Sequence, residues 1–269
     1  MLLRDTFWLW GHPEGRYNQN ADGYGCPDTS RMTPMEACLY LGIRNTFMVP
    51  VGIDVNRRQY NKSFKTLNNV GWECFAACER PEIIDLSIEE AKEFSNISCV
   101  VLDDFKILDN GVPRYKKFPL SLLKKINQKL HNNDIRRLDS WMVLYTYQFG
   151  VNIEEDKEFQ PYMDEFDGVI MWTWKECDVP LIPEKFEQFK KYTPNTRRMV
   201  GCYLYNFGER RQATGAAVKW QLDYYRELLL KGEIEGVVLH TNTMADLDYE
   251  AYDVACEWMD RHGDEVIPG

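Results

Sequence analysis

The chain has 269 residues, of which 44 % are hydrophobic and 28 % charged, a composition typical of a globular protein with a large buried core. Its formal net charge is -10, from 42 acidic and 32 basic residues, and its longest basic runs are pairs such as Arg57-Arg58 and Lys116-Lys117. Because polyanion binding needs a basic face, nucleic acid is excluded as an expected partner. No stretch approaches the roughly 18 to 20 consecutive apolar residues of a membrane span, so no membrane partner is expected either.

The N-terminal segment, Met1 to Trp10, has one arginine and no small-residue cleavage site. It is therefore not a complete secretory signal. We expect a soluble protein that is either cytoplasmic or secreted with its signal removed.

Eight cysteines are dispersed along the chain, most of them in apolar contexts. In a chain of this length, that distribution favours buried free thiols over a disulfide framework. They are Cys26, Cys38, Cys74, Cys78, Cys99, Cys177, Cys202 and Cys256.

Short apolar runs alternate with longer amphipathic segments, a pattern typical of repeated strand-helix units. Eight runs are predicted as strands: Phe7 to Gly11, Thr46 to Val51, Gly71 to Ala76, Cys99 to Asp103, Trp141 to Tyr147, Gly168 to Trp172, Met199 to Tyr205 and Gly236 to His240.

Local signals predict where several helices begin and end. Thr33-Pro34-Met35-Glu36 combines a capping box with proline at the first helical position, and Ser87 to Glu90 reads as a second capping box. Gly232 is predicted to end a helix before the eighth strand, and Gly263 to end the last helix, Asp248 to His262, in the same way.

The number of strands and the chain length favour a (β/α)₈ TIM barrel, an α/β fold of about 250 residues, over an open doubly wound sheet with similar alternation. We see no linker or repeat, so one domain spanning residues 1-269 is the simplest organisation. Residues 11-32, which follow the first strand and contain four glycines, are predicted to form a long loop at the mouth of the barrel, where function tends to lie.

Candidate catalytic residues follow from the rule that barrel active sites lie at the C-terminal ends of the strands. The fourth strand ends in Asp103 and Asp104, which suit a catalytic acid, base or nucleophile. Alternation sends the two side chains to opposite sides of the strand, so at most one is expected to face the barrel axis unless the strand has already bent. A turn-capping role is the structural alternative for either aspartate.

The loop after the first strand brings an imidazole, a carboxylate, a guanidinium and an amide to the predicted mouth. This mixture suits acid-base chemistry or recognition of a polar ligand, although such side chains also stabilise loops. The candidates are Trp10, His12, Glu14, Arg16 and Asn18.

Strands six to eight end in aromatic and amide residues, a combination that suits sugars because rings stack on pyranose faces while amides and carboxylates bind hydroxyls. For a single ring, a place in the core is the simpler explanation. The candidates are Trp172, Trp174, Glu176, Tyr205, Asn206, His240 and Asn242, and lesser ones are Asp54, Glu73, Tyr147, Gln148 and Glu209.

Several reaction classes are disfavoured by missing motifs. The four histidines show no metal-ligand spacing, so no metal is expected. Glycine-rich phosphate turns, a Schiff-base lysine within a strand, a Gly-Xaa-Ser-Xaa-Gly elbow and a dinucleotide fingerprint are also missing. Carboxylate chemistry among aromatic residues remains, with no cofactor.

Leu102-Asp103-Asp104-Phe105 on strand four and Trp172-Thr173-Trp174 on strand six resemble the broad group of (β/α)₈-barrel glycoside hydrolases. The likeness extends over nearly the whole chain, but the Asp-Xaa-Xaa-Asp-Xaa-Asp-Xaa-Glu run and the Asn-Glu dipeptide found on strand four in parts of that group are missing here. The resemblance implies that Asp103 or Asp104 is catalytic. Glycoside hydrolysis requires a second carboxylate, which the other aspartate, Glu14 or Glu176 could supply to activate water or stabilise charge.

The sequence thus predicts an enzyme acting on a carbohydrate or another polar small molecule. Two alternatives stay open: a barrel that binds such a molecule without turning it over, and a barrel hydrolase or lyase with a metal at His12 and His240.

Overall fold

The computed structural model describes residues 1–268 and shows eight parallel strands closed into a barrel. Each strand pairs with its two neighbours in chain order, and the first pairs with the last. The strands are β1 (Phe7–Gly11), β2 (Asn45–Met48), β3 (Asn69–Glu73), β4 (Ile97–Leu102), β5 (Asp139–Tyr145), β6 (Gly168–Trp172), β7 (Arg197–Tyr203) and β8 (Gly236–His240).

One helix follows each strand, which gives the complete (β/α)₈ alternation. The helices are α1 (Pro34–Tyr40), α2 (Arg57–Ser63), α3 (Glu82–Glu93), α4 (Leu120–His131), α5 (Ile153–Met163), α6 (Ile182–Tyr192), α7 (Gly215–Leu230) and α8 (Glu250–His262). The predicted barrel is confirmed, and the open sheet is not what forms. Across residues 1–268, no helix is both long enough and apolar enough to cross a membrane.

The eight cysteines, all within the described part of the chain, are free thiols as predicted. Five of them are buried, Cys78 and Cys256 are partly buried, and Cys177 is exposed.

Two predicted helix boundaries are confirmed. The Thr33 Oγ1 accepts a hydrogen bond from the Glu36 backbone N–H while the Glu36 carboxylate accepts one from the Thr33 N–H, so the capping box at α1 forms. Gly232 has a φ of 67° just after α7, a left-handed conformation that glycine adopts without steric penalty.

The capping box predicted at Ser87 is wrong, because α3 begins five residues earlier, at Glu82. Ser87 lies inside the helix, where its Oγ donates to the Ile83 carbonyl at 3.1 Å and accepts from Arg57. Gly263 does end α8, but its φ is -60°. Glycine is needed there for space, since a Cβ would lie 2.6 Å from the Met259 carbonyl oxygen.

Aromatic rings fill much of the barrel interior, and three of them lie over a glycine of the neighbouring strand. In the β2–β3 register Phe47 is paired with Gly71, and in the β5–β6 register Trp141 is paired with Gly168. Trp172 lies over Gly201 in the same way, and a Cβ at any of these glycines would overlap the ring. Missing side chains on one strand thus make room for large ones on the next, which keeps the interior close-packed.

Replacing Gly201 by Ala is therefore expected to destabilise the fold by about 3 kcal/mol, because the added methyl group overlaps Trp172 and cores tolerate overpacking poorly. Chemical denaturation measures the loss. Gly23→Ala is the control: unlike Gly201, Gly23 has a positive φ, 71°, but it has open space around its Cβ position, so the substitution should cost only about 1 kcal/mol. Equal losses in the two variants would contradict the packing explanation.

Candidate functional site

The C-terminal ends of the barrel strands surround a cavity of about 110 Å³, which we call the mouth cavity. Its floor is the top of the aromatic barrel interior, and its sides come from the loops after β1, β2, β4, β6 and β7. It is lined by Trp10, His12, Arg16, Tyr17, Tyr24, Val51, Asp103, Asp104, Val143, Tyr145, Trp172, Trp174, Tyr203, Phe207 and His240. Eight of these residues are among the candidates proposed from sequence: Trp10, His12, Arg16, Asp103, Asp104, Trp172, Trp174 and His240.

Both aspartates after β4 reach the mouth cavity, although strict alternation would send one of them away. β4 ends at Leu102, and Asp104 has a φ of 53°. This left-handed backbone is tolerated by aspartate more readily than by most residues. The chain has therefore left the extended conformation at Asp104, which is the bend that brings both carboxyl groups into one cavity.

The segment after these aspartates is anchored by the buried ammonium group of Lys106. Its Nζ lies 3.1 Å from the Asp156 carboxylate and also donates to the Gln148 carbonyl oxygen. Asp156 accepts two further hydrogen bonds, from the Gly150 N–H at 2.8 Å and the Tyr192 hydroxyl at 2.9 Å. The loop after β4 is thereby attached to α5 and to the segment after β5.

The two aspartates have different partners. Asp104 accepts a hydrogen bond from the Tyr145 hydroxyl at 2.9 Å and lies 3.8 Å from the Arg114 guanidinium, and its side chain keeps 31 % exposure. Within residues 1–268, the Asp103 carboxyl forms no side-chain hydrogen bond or ion pair of its own. Burial raises the pKa of Asp103 well above its usual range, and the neighbouring charges of Asp104 and Glu73 raise it further.

Burial also raises the pKa of Asp104, but the Tyr145 hydrogen bond and the Arg114 charge act in the opposite direction. The Arg114 charge lowers the pKa of Asp103 as well, whereas the Tyr145 hydrogen bond is made to Asp104. The two adjacent carboxyl groups therefore have different surroundings.

A second, more open cavity of about 360 Å³ adjoins the mouth cavity, and Val51, Asp103 and Asp104 line both. Five of its other ten lining residues are charged: Glu73, Glu79, Asp109, Arg114 and Lys117. The two aspartates therefore lie where an aromatic cavity and a charged cavity meet.

Glu73, at the end of β3, is the third carboxylate of this region and was only a lesser candidate from sequence. Burial raises the pKa of Glu73. The hydrogen bond that its carboxylate accepts from the Phe75 backbone N–H and the nearby Arg114 charge act in the opposite direction. Arg114 itself lies over the Phe75 ring, 3.9 Å from its centroid. One guanidinium thus lies among three carboxylates.

His12 and His240 are in direct contact beneath the mouth cavity, with their Nε2 atoms 3.2 Å apart. His12 Nδ1 lies 2.7 Å from the Val49 carbonyl oxygen, and the Tyr17 hydroxyl is 3.2 Å from His12 Nε2. Burial lowers the pKa of His12 to about 4 and that of His240 well below its ordinary value, so both rings are neutral at physiological pH.

Two of the predicted binding residues instead hold the mouth loop in place. Asn242 accepts from the His12 N–H at 2.8 Å and donates to the carbonyl oxygens of His12 and Met32. Asn18 exchanges two hydrogen bonds with the backbone of Ser30. Neither side chain lines the mouth cavity.

The structure does not bring the other four predicted residues to the mouth cavity. Glu14 is exposed and accepts from the Tyr60 hydroxyl at 2.8 Å. Glu176 accepts from the Thr214 N–H at 2.8 Å, at the N-terminus of α7, where a negative charge is favourable. Tyr205 is buried, and its hydroxyl donates a hydrogen bond to the Tyr24 carbonyl oxygen. The Asn206 side-chain amide donates a hydrogen bond to the Glu209 carboxylate within the same turn.

The sequence analysis did not name seven of the residues that line the mouth cavity, Tyr17, Tyr24, Val51, Val143, Tyr145, Tyr203 and Phe207, nor Arg114 in the second cavity. Tyr145 and Tyr203 are the last residues of β5 and β7, so the strand-end rule applied at the observed boundaries finds both. The predicted strands ended two residues later, at Tyr147 and Tyr205. Among residues 1–268, no three or more His, Cys, Asp and Glu side chains are grouped so that they could hold a metal ion.

Comparison with known proteins shows likeness in fold alone. No protein-family model matches the sequence, and no curated protein is detectably similar to it. A chitinase domain from Pyrococcus furiosus superposes with a TM-score of 0.61 at 10 % identity, over 97 % of this chain and 97 % of that one.

The PgaB (BpsB) glycoside hydrolase domain from Bordetella bronchiseptica gives a TM-score of 0.55 at 9 % identity, over 93 % of this chain and 98 % of that one. Tryptophan synthase from M. tuberculosis also matches, with a TM-score of 0.52 at 10 % identity, over 98 % of this chain and 94 % of that one. The structural neighbours thus include glycoside hydrolases of the same barrel fold as well as an enzyme of different activity.

Proposed function

We propose that this protein is a glycoside hydrolase that acts through Asp103 and Asp104. The observation that carries the proposal is the pair itself: two adjacent carboxyl groups with opposed surroundings, placed where two cavities meet. Glycoside hydrolysis needs one protonated and one ionised carboxyl group beside the scissile bond. The neighbouring barrel hydrolases support the proposal through fold only.

Asp103 is the general acid in this proposal. Burial and the nearby Asp104 and Glu73 raise its pKa, which keeps it protonated at a pH where an isolated aspartic acid is ionised. A proton held there is available to the oxygen of the departing sugar.

Asp104 is the ionised partner, which activates water or stabilises positive charge at the anomeric carbon. The Tyr145 hydroxyl orients its carboxylate, and Arg114 favours its charged form. Tyr145 is a positioning residue, since it acts through Asp104.

Aromatic rings form the sugar platform on the side of the mouth cavity. Trp10, Trp172 and Trp174 line it, and Arg16 lines it with a hydrogen-bond donor for sugar hydroxyls. Rings of this kind stack on pyranose faces, while the charged second cavity suits the more hydrated remainder of a substrate.

A panel of aryl glycosides and oligosaccharides, assayed for product release with and without chelator, tests the proposal. Release that resists the chelator supports a glycoside hydrolase. No release, with sugars still raising the melting temperature, would indicate a carbohydrate-binding barrel without turnover. Release that the chelator abolishes would indicate a metal-dependent barrel hydrolase instead.

Activity is expected to follow a bell-shaped pH profile shifted upward from the range of isolated aspartic acids. Asp104 must be ionised, so activity falls as the pH drops through its raised pKa; Asp103 must be protonated, so activity falls as the pH rises through its still higher pKa. The dependence of kcat/KM on pH measures both limbs. A profile that stays flat from the acid limit of folding to alkaline pH would contradict this pairing.

A further inference from the structure

Two residues that line the mouth cavity each carry a buried polar atom with no hydrogen-bond partner within residues 1–268: His240 Nδ1 and Trp172 Nε1. The residues are only 6 % and 2 % exposed, and both line the cavity. A buried polar group without a partner is costly, so such atoms in a binding cavity indicate contacts that a ligand completes.

Hydrogen-bond donors and acceptors around His12 determine which nitrogen of His240 carries the proton. The Val49 carbonyl oxygen accepts only, so His12 Nδ1 carries a hydrogen and the Nε2 of this neutral ring is bare. His240 Nε2 lies 3.2 Å from that bare nitrogen, and two bare nitrogens do not approach so closely. His240 Nε2 therefore carries the hydrogen and donates it to His12, which leaves His240 Nδ1 as a bare acceptor.

The surroundings of His240 disfavour a positive charge on the ring. Its neighbours are the rings of Phe207, Tyr203 and Trp172, with centroids 4.7, 5.0 and 6.0 Å away, besides His12 and Tyr17. No carboxylate contacts it within the described chain. The residues that line the floor thus carry one unpartnered acceptor, His240 Nδ1, and one unpartnered donor, Trp172 Nε1–H.

We propose that His240 and Trp172 form a selective subsite for an uncharged ligand group that both donates and accepts a hydrogen bond, with a sugar hydroxyl as the occupant. A carboxylate would leave His240 Nδ1 without a donor, and an ammonium group would leave the Trp172 N–H without an acceptor. The subsite therefore selects neutral over charged sugars at this position. This inference rests on the proposed function for its ligand class, but it concerns binding and is tested without turnover.

The tautomer is tested first, by long-range ¹H–¹⁵N correlation spectra of the full chain at neutral pH. The expected result is His12 protonated on Nδ1 and His240 protonated on Nε2. Protonation of His240 on Nδ1, or a doubly protonated ring, would overturn the inference, since the acceptor would then be missing.

Binding is tested with five probes: the methyl pyranosides of glucose, galactose, mannose and xylose, and methyl glucuronide. At least one neutral probe should bind and shift the Trp172 indole N–H resonance. Its Kd should be about five- to tenfold lower than that of the glucuronide. Failure of every neutral probe to bind, or equal binding of the glucuronide, would overturn the inference.

Two variants locate the contact. His240→Phe removes the acceptor together with the donor toward His12, and Trp172→Phe removes the indole donor; each should weaken binding of the neutral probe by about five- to tenfold. Trp141→Phe is the matched control, because Trp141 is buried in the barrel interior and does not line the mouth cavity. Wild-type affinity in both variants would overturn the subsite, even if the product-release assay supports the hydrolase. If that assay shows no product, the measured affinities still decide whether the subsite exists.

Discussion

Replacing Asp103 by Asn is expected to slow hydrolysis of oligosaccharides by about 10²- to 10⁴-fold, the usual contribution of a general acid. The loss should depend on the leaving group. A dinitrophenyl glycoside, whose phenolate leaves without a proton, should be hydrolysed by Asp103→Asn at a rate much closer to that of the wild type. The ratio of kcat/KM for the two substrates measures this difference.

Asp104→Asn is expected to lose activity on both substrates, because the ionised carboxylate is needed whatever the leaving group. Asp139→Asn serves as the control: Asp139 begins β5 at the opposite end of the barrel, where it pairs with Arg137 and Arg197. If both Asp103→Asn and Asp104→Asn remain fully active, the assignment of the catalytic pair is wrong. If both lose activity equally on both substrates, Asp103 is not the acid.

Asp156→Asn is expected to destabilise the protein by about 3 kcal/mol or more, because it leaves the ammonium group of Lys106 buried without its closest counter-charge. The Lys106 and Asp156 side chains are 2 % and 5 % exposed. Glu155 lies 3.4 Å from Lys106 but is 40 % exposed, so it compensates only in part. In a chain of this size the loss corresponds to roughly 6 to 12 °C in Tm, measured by calorimetry.

Asp264→Asn is the matched control, since it removes the partner of Arg4 from a surface where Asp264 is 77 % exposed. Exposed ion pairs contribute about 0 to 1 kcal/mol, so this variant should unfold almost as the wild type does. A loss in Asp156→Asn as small as in Asp264→Asn would show that Lys106 finds adequate partners without Asp156.

The sequence predicted the fold well because apolar runs and turns are local signals. All eight strands were located, and the errors lie at their ends, where runs such as Trp141 to Tyr147 extend beyond the last ladder residue, Tyr145. The false capping box at Ser87 has the same origin. Its residues fit the pattern, but the helix begins earlier, at Glu82, and the Ser87 hydroxyl donates a hydrogen bond to the Ile83 carbonyl oxygen.

The candidate site was predictable only where the strand-end rule applies directly. It identified His12, Asp103, Asp104, Trp172 and His240 as residues at the mouth, and these do line one cavity. It could not separate them from Glu14 and Glu176, whose partners Tyr60 and Thr214 are 46 and 38 residues away in the chain. Contacts across such distances follow from the closed barrel and not from any local pattern.

The backbone at Asp104 and the crowding of Asp103, Asp104 and Glu73 have a consequence for evolution and engineering. A non-glycine residue with a φ of 53° and three neighbouring carboxylates oppose folding, so the proposed chemistry of this corner of the barrel comes at a cost in stability. Selection for thermal resistance alone should replace these residues first. Their retention in a stabilised variant therefore requires that selection act on activity at the same time.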